Sequence, residues 1–526
     1  MTTEPSAELT AAVGSGGESD ADTDANASVN TENEAVAGAA PSADGHAPHV
    51  EPYLQDFERF IVTRSGTEPP QFTELRHRAI AVFARNGFPN VKLEEWRFTN
   101  VETLEETEFR LAQPAADAAD AADASAGRTE TTRGTEAPSF TVRGIAAQDV
   151  APHLLPDAHN LVFIDGHYAP ELSKLGDLPA GAIAISLATA LASAPPAASA
   201  PETAPALQTV TARYGALADL EHQHFVALNT AFATDGGFVH IAPGTVVEPA
   251  IHLLFIATDA PEGTPRRVSY PRNLVVAGEG ARVTVVETYV GHGAYFTCGV
   301  TEIDVGRDAA VDHYRIQSES AEAFHMATLQ LDQHDGSTFA SHAISSGGHI
   351  ARYDANAYLG GEGVHTTLNG LYLARGTQHI DNHMWVEHAR PGGTSHELYK
   401  GILEGEASAV FTGRILVREG AQETDAVQSN RNLLLSEGAL VNSNPQLEIY
   451  ADDVRCTHGS TVGQLDEESI FYLRSRGIGE EAARSLLIYA FASDIVAGVK
   501  VDAVRAGLEQ LLFDRLPRGE VVAEVI

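Results

Sequence analysis

Cysteine is nearly absent from this chain: Cys298 and Cys456 are the only two in 526 residues. Two thiols cannot build a disulfide framework, and so low a count points to a reducing compartment. Basic charge is also short, with 34 Lys and Arg against 72 Asp and Glu for a formal charge of −38. Lysine itself occurs only at Lys92, Lys174, Lys400 and Lys500. A field of that sign repels phosphate backbones, which argues against nucleic-acid binding, and its simplest use is solubility in a salt-rich cytoplasm. No apolar run approaches the roughly 18 residues of a membrane span, so no membrane association is expected. Met1 to Val50 lacks the basic n-region and apolar h-region of a secretory signal, so a cytoplasmic location is expected. Also missing are a GxxxxGK[ST] phosphate loop, a dinucleotide fingerprint opening a βαβ unit and a GxSxG elbow. No catalytic residue is assigned, and any ATP requirement has to be met by a partner.

What is present falls into four regions. Residues 1–48 are rich in Ala, Glu, Asp, Ser, Thr, Asn and Gly without aromatics, and read as a disordered acidic tail. A helical region follows over 49–160. In it Leu75, Ala79, Ile80, Val82 and Phe83 share one helix face, and Asn86-Gly87-Phe88-Pro89 supplies the stop. The Ala/Asp/Thr-rich stretch 114–138 reads as a flexible insertion. Residues 161–464 form the β core, interrupted by a low-complexity Ala/Pro loop at 194–205 and opening on the strand and turn Leu161–His167.

From about Phe225 to Gly459, short β-branched runs such as Arg282–Tyr289 and Ala309–Ile316 alternate with Gly-rich turns at Gly278, Gly306, Asp335 and Gly360. The turns recur roughly every 26 to 28 residues, a repeat-protein period. Ala409–Phe411, Ile415–Val417, Arg431–Leu435 and Leu447–Ile449 read as later strands in the same rhythm. A sandwich, a barrel and a parallel β-helix all fit, and the small corner residues favour the β-helix. Residues 465–526 read as helices. Asp466-Glu-Glu gives an acidic cap and first turn, Gly477-Ile-Gly479 a break, Glu480–Ala497 a second helix and Val501–Leu512 a third. Ile470, Phe471, Leu473, Leu486, Leu487 and Phe491 give this region an apolar surface. It serves either as a cap over the last coil or as a docking face for a partner.

The stretch Asn442–Gly463 is the most informative. In a strand, residues two apart point to one face, so Cys456 and His458 would lie side by side. Thiolate and imidazole together suit iron, zinc or copper. An arbitrary Cys-x-His is more often a small buried hydrophobe beside a locally bonded imidazole. One chain has too few thiolates for a four-cysteine cluster, so further ligands would come from carboxylates or another subunit. That places a shared site at an interface. Cys298, in the apolar run Tyr295–Val300, reads as a structural core thiol. Ten histidines between His313 and His396 show no HxH or HExxH spacing and read mostly as turn or surface residues.

Four separated segments carry a family resemblance. They are Gly87-Phe-Pro89 with Glu94-Glu-Trp-Arg-Phe-Thr99, then Val162–Ser173, Phe225–Thr245 and Asn442–Gly463 with the helices after it. Together they resemble the SufB/SufD family, the scaffolds of the SUF iron–sulfur cluster assembly machine. The absence of the sulfur-accepting cysteine of SufB members points to the SufD side of that family. The resemblance implies a mainly β fold, a parallel β-helix between N-terminal and C-terminal helical regions. It also implies a non-enzymatic subunit that pairs with a SufB-like scaffold and engages a SufC-like ABC ATPase through Asp466–Ala497. Cys456 and His458 would then act at the shared interface in iron acquisition or cluster assembly. No tightly bound cofactor is expected, only transient iron or an iron–sulfur cluster, with flavin confined to the full complex. In isolation the chain could form a homodimer through the face SufB would use. The tail and the two insertions depart from the segments that carry the resemblance. Two other readings stay open: a purely architectural SufB partner with an inert Cys456, and a β-helix carbohydrate-active enzyme.

Overall fold

The computed structural model describes residues 47, 49–64, 68–112, 141, 142, 144–193 and 204–525. Nearly all of the tail expected at 1–48, the insertion at 114–138 and the loop at 194–203 lie outside the described residues. Residues 204 and 205 belong to the helix Ala204–Arg213.

The β core is a parallel solenoid. Successive strands alternate between two sheets, an eleven-stranded one ending on Leu440–Ile449 and a ten-stranded one ending on Arg455–Gly463. In the second sheet Arg282, Ala310, Thr338, His365, Thr394, Asp425 and Arg455 stack in parallel register, so a coil takes 27 to 31 residues. The early coils match the expected period. The later ones are longer because residues are added in connections such as 418–424, while the strands stay at nine or ten residues.

One corner explains the glycine rhythm. Gly280, Asp308, Gly336, Gly363, Gly392 and Glu423 all have φ between +54° and +70°. Each donates its N–H to a carbonyl of the following coil, as Gly336 does to Glu362 and Gly363 to Pro391. Glycine enters this left-handed region without steric cost, so it dominates the corner. Asp308 and Glu423 take the same conformation, held by the same inter-coil bond.

Helices cover part of the outer face of each sheet. Glu51–Arg64, Pro70–Asn86 and His224–Phe232 pack an aromatic layer (Tyr53, Phe57, Phe83, Phe88, Phe225, Phe232) against Phe296, Phe324 and Met326 of the first sheet. Pro70–Asn86 stops at Gly87, whose φ is +64°, as its Gly/Pro boundary implies. Across the molecule, Glu480–Ala497 and Asp502–Arg515 pack Ile488, Ile495, Leu508 and Leu512 onto Ile344, Leu371, Ile402 and Leu433 of the second sheet. Lys400 pins this layer, its buried Nζ donating to the Phe491 carbonyl at 2.8 Å and to Asp494 at 2.6 Å.

Four expectations are corrected. His224–Phe232 is a helix where strands were expected. It is buried from Phe225 to Phe232, so it carries no polar stripe to betray its period. Ala409–Phe411 and Ile415–Val417 are two halves of one strand, Ser408–Val417, which Gly413 and Arg414 do not interrupt. The C-terminal helices lie along the side of the solenoid and leave the last coil uncapped. Finally, His313, His325, His342 and His388 are buried, not surface residues. Lumen on one side and helices on the other cover both faces of these strands, so alternation offers an imidazole little exposed face.

Candidate metal centre at the open end of the solenoid

Among the described residues Arg455–Gly463 pairs on one side only, with Asp425–Leu434, in the register Cys456 to Ala426 and His458 to Gln428. Ala426, Gln428 and Asn430 are buried and face the lumen, so Cys456, His458 and Ser460 above them face it too. The strand's helical neighbours do not reach it. Every residue of Arg455–Gly463 is exposed except Cys456, which is partly buried against the lumen core. The facing edge strand, Leu440–Ile449, is half-covered along most of its length. Its Ser443 accepts a hydrogen bond from Ser460 at 2.7 Å and donates one to Asn430 at 2.8 Å, which closes the mouth's inner wall. Among the described residues the last coil is therefore a rim with two unpaired strand edges and lumen-facing side chains open to solvent.

Burial pushes the Cys456 thiol above its ordinary value, with a hydrogen bond at the Ala426 backbone pulling the other way and Asp425 adding to the rise. At neutral pH it is a thiol, and a cation has to draw off its proton before sulfur can ligate. Beneath His458, Gln428 donates to Glu397 at 3.0 Å. Burial pushes the Glu397 carboxyl up to about 7, against the bond from Gln428. Neither residue stood out in the sequence, although Gln428 lies one coil length before His458 and so was reachable once the period was known.

Cys298 is fully buried on Tyr295–Val305, its Sγ donating to the Phe225 carbonyl at 3.4 Å, and burial raises it well above its ordinary value. It packs in the core beneath the N-terminal helices. Of the apolar residues expected to dock a partner, Phe471 is exposed, Ile470 is buried, and Leu473, Leu486, Leu487 and Phe491 are half-buried. Leu486 and Phe491 pack against the solenoid side. Tyr472, which the sequence did not single out, is exposed beside Phe471.

Among the described residues one group of three metal-competent side chains has donor atoms within 4.8 Å of one another: Asp304, Asp332 and His334. It lies on the strands Tyr295–Val305 and Phe324–Gln333 and the turn after them, four coils from the rim in the first sheet. The Arg213 guanidinium, 3.0 Å from Asp304, already supplies positive charge there, and His334 Nε2 lies 3.0 Å from the same carboxylate, so the group reads as a polar cluster built around an ion pair.

Comparison with known proteins identifies the family. Residues 256–491 match the family model "SUF system FeS cluster assembly, SufBD core domain", and residues 152–253 match "SufBD protein N-terminal region". The chain is 32% identical to an iron–sulfur cluster assembly SufBD family protein of Synechocystis, over 91% of this chain and 99% of that one. It is 30% identical to the iron–sulfur cluster assembly protein SufD of Escherichia coli, over 83% of this chain and 91% of the relative. To the SufD of Bacillus subtilis it is 26% identical, over 56% of this chain and 66% of the relative. Solenoid, flanking helices and full-length relatives together make this chain a member of the SufB/SufD family of SUF iron–sulfur cluster assembly proteins.

Proposed function

We propose that this chain is a SufD-type scaffold subunit, not itself an enzyme. It pairs with a SufB-like scaffold across the rim of the last coil and offers Cys456 and His458 to iron or to a nascent cluster at that junction. The uncapped coil carries the reading. A solenoid end with two unpaired strand edges is a template for another chain's strands, and only there can lumen-facing ligands meet a partner. With one thiolate and one imidazole from this side, the remaining ligands come from across the junction. The same free edges support a homodimer when the SufB-like partner is missing. The exposed Phe471 and Tyr472, on the helix Glu467–Ser475, are the docking candidates for a SufC-like ATPase. We place the assembly in the cytoplasm, with no resident cofactor on this subunit and any flavin confined to the full complex. Family membership favours this scaffold role over a carbohydrate-active one.

The test is anaerobic reconstitution of the co-purified complex with iron and sulfide, comparing native protein with a Cys456→Ala/His458→Ala variant. Loss of the cluster's visible absorbance with the complex intact is the expected result. Unchanged cluster yield would leave the chain as the architectural half of the scaffold with an inert thiol.

A further inference from the structure

The lumen column that ends on His458 carries a second, deeper pair. Going inward from the rim, His458 stacks on Gln428, and Gln428 on Glu397, each step one strand spacing of about 4.8 Å. Gln428 and Glu397 are both almost wholly buried. Gln428 Nε2 donates to Glu397 Oε2, but among the described residues Gln428 Oε1 and Glu397 Oε1 have no partner. A buried acceptor left open costs about 1–3 kcal/mol, so two of them beneath an exposed imidazole are an arrangement to be explained. Across the lumen the chain makes room for it. At Gly413 an added Cβ would come within 2.2 Å of Gln428 Nε2, so any larger residue there would displace the amide.

We propose that Gln428 and Glu397 are positioning residues for His458. One ring N–H of His458 donates to Gln428 Oε1, Gln428 Nε2 donates to Glu397, and the other ring nitrogen is left as a lone-pair donor facing out of the rim. A ligating histidine needs its second nitrogen anchored in this way, because that bond fixes both tautomer and ring direction. The inference rests on the reading of His458 as a ligand, and sets which of its nitrogens does the work.

The experiment uses the full-length chain labelled with ¹⁵N-histidine, the His458 signals being identified by their loss in His458→Ala. Two-bond ¹⁵N–¹H spectra then report the tautomer in native protein, Gln428→Met, Glu397→Met and Glu397→Gln. One dominant tautomer is expected in native protein. It should persist in Glu397→Gln, which keeps an acceptor oxygen, and collapse to the mixture of a free imidazole in Gln428→Met and Glu397→Met. Should Gln428→Met fail to fold, Glu397→Met carries the comparison. In parallel, cluster yield after reconstitution of the complex with iron and sulfide is expected to fall about 10- to 100-fold in Gln428→Met at equal complex recovery. An unchanged tautomer in both methionine variants overturns the inference. If His458→Ala abolishes the cluster in that case, the proposed function stands without it. If His458→Ala leaves the cluster untouched, the proposed function falls and this inference with it.

Discussion

Pairing through the rim can be weakened without touching either candidate ligand. Ile449 and Val462 lie on the two edge strands, 41% and 49% exposed. Both continue lumen-facing columns, above Val417 and Asn432. Fully burying such a side chain gains about 1.5–3 kcal/mol, so covering the half still exposed gains about 1 kcal/mol each. An Ile449→Asp/Val462→Asp variant forfeits that, and adds the desolvation of two carboxylates at about 1 kcal/mol or more apiece on a partly wet rim. The sum is about 4 kcal/mol, a roughly thousandfold weaker complex. The half of each side chain already covered in the free chain is lost too, so its stability in urea should fall by about 2 kcal/mol while the fold persists. Titration calorimetry or sedimentation with the SufB-like partner measures the loss, and light scattering of the isolated chain tests self-association through the same face. Affinity within threefold of native protein would put the junction elsewhere on the molecule and remove the reason for a shared site at Cys456.

Further outcomes follow from the packing. Lys400→Met should cost about 1–2 kcal/mol by removing the charge-assisted bonds to the Phe491 carbonyl and Asp494, read as faster hydrogen exchange across Glu480–Ala497. Asp494→Ala should cost under about 1 kcal/mol, because Asp494 is largely exposed. Burial holds His388 down at about 4, so between pH 6.5 and 4 the unfolded chain takes up a proton that the folded one refuses. Stability from this residue is full above pH 6.5 and is lost as pH falls, and His388→Gln should shrink the stability difference between pH 7 and 5 by about 2 kcal/mol. Glu397, held up at about 7, acts in the opposite sense, and Glu397→Gln should steepen the acid loss. Iodoacetamide should modify one thiol per native chain, slowly, and two in urea, since Cys298 is sealed and Cys456 is not. Bound SufB-like partner should bring the native value to zero. Continued labelling of Cys456 in the complex would refute its place at the junction.

How far the sequence could be read depended on what enforces a pattern. Asp466 caps its helix as its position suggests, its carboxylate accepting from the backbone of Glu468 and Ser469, because a cap is local chemistry written in one residue. The coil period was visible because one corner repeatedly needs positive φ, and it blurred where Asp308 and Glu423 meet that need without glycine. The helix His224–Phe232 stayed hidden for the converse reason: a segment buried all round has no face to mark. The histidines misled because two-sided burial makes a strand polar in sequence yet sealed in the fold. His313 lies between Glu287 at 3.4 Å and Ser341 at 3.0 Å inside the lumen.

The two cysteines show why position along the solenoid, not residue type, decides what a thiol can do. Both lie on strands of the same parallel stack, and burial raises both. Around Cys298 the next coil and the N-terminal helices close every approach, so no cation or partner can reach the sulfur without unfolding the layer above it. Cys456 has the coil beneath it but none above. An inward-facing ligand is pre-oriented by the lumen wall, and accessibility is lost wherever another coil follows. Both properties coexist only on a terminal coil, which is where a ligand pair shared with a partner would have to sit. Capping that coil with the C-terminal helices would have sealed it. Their displacement to the side, held there by Lys400, leaves the rim free for a partner.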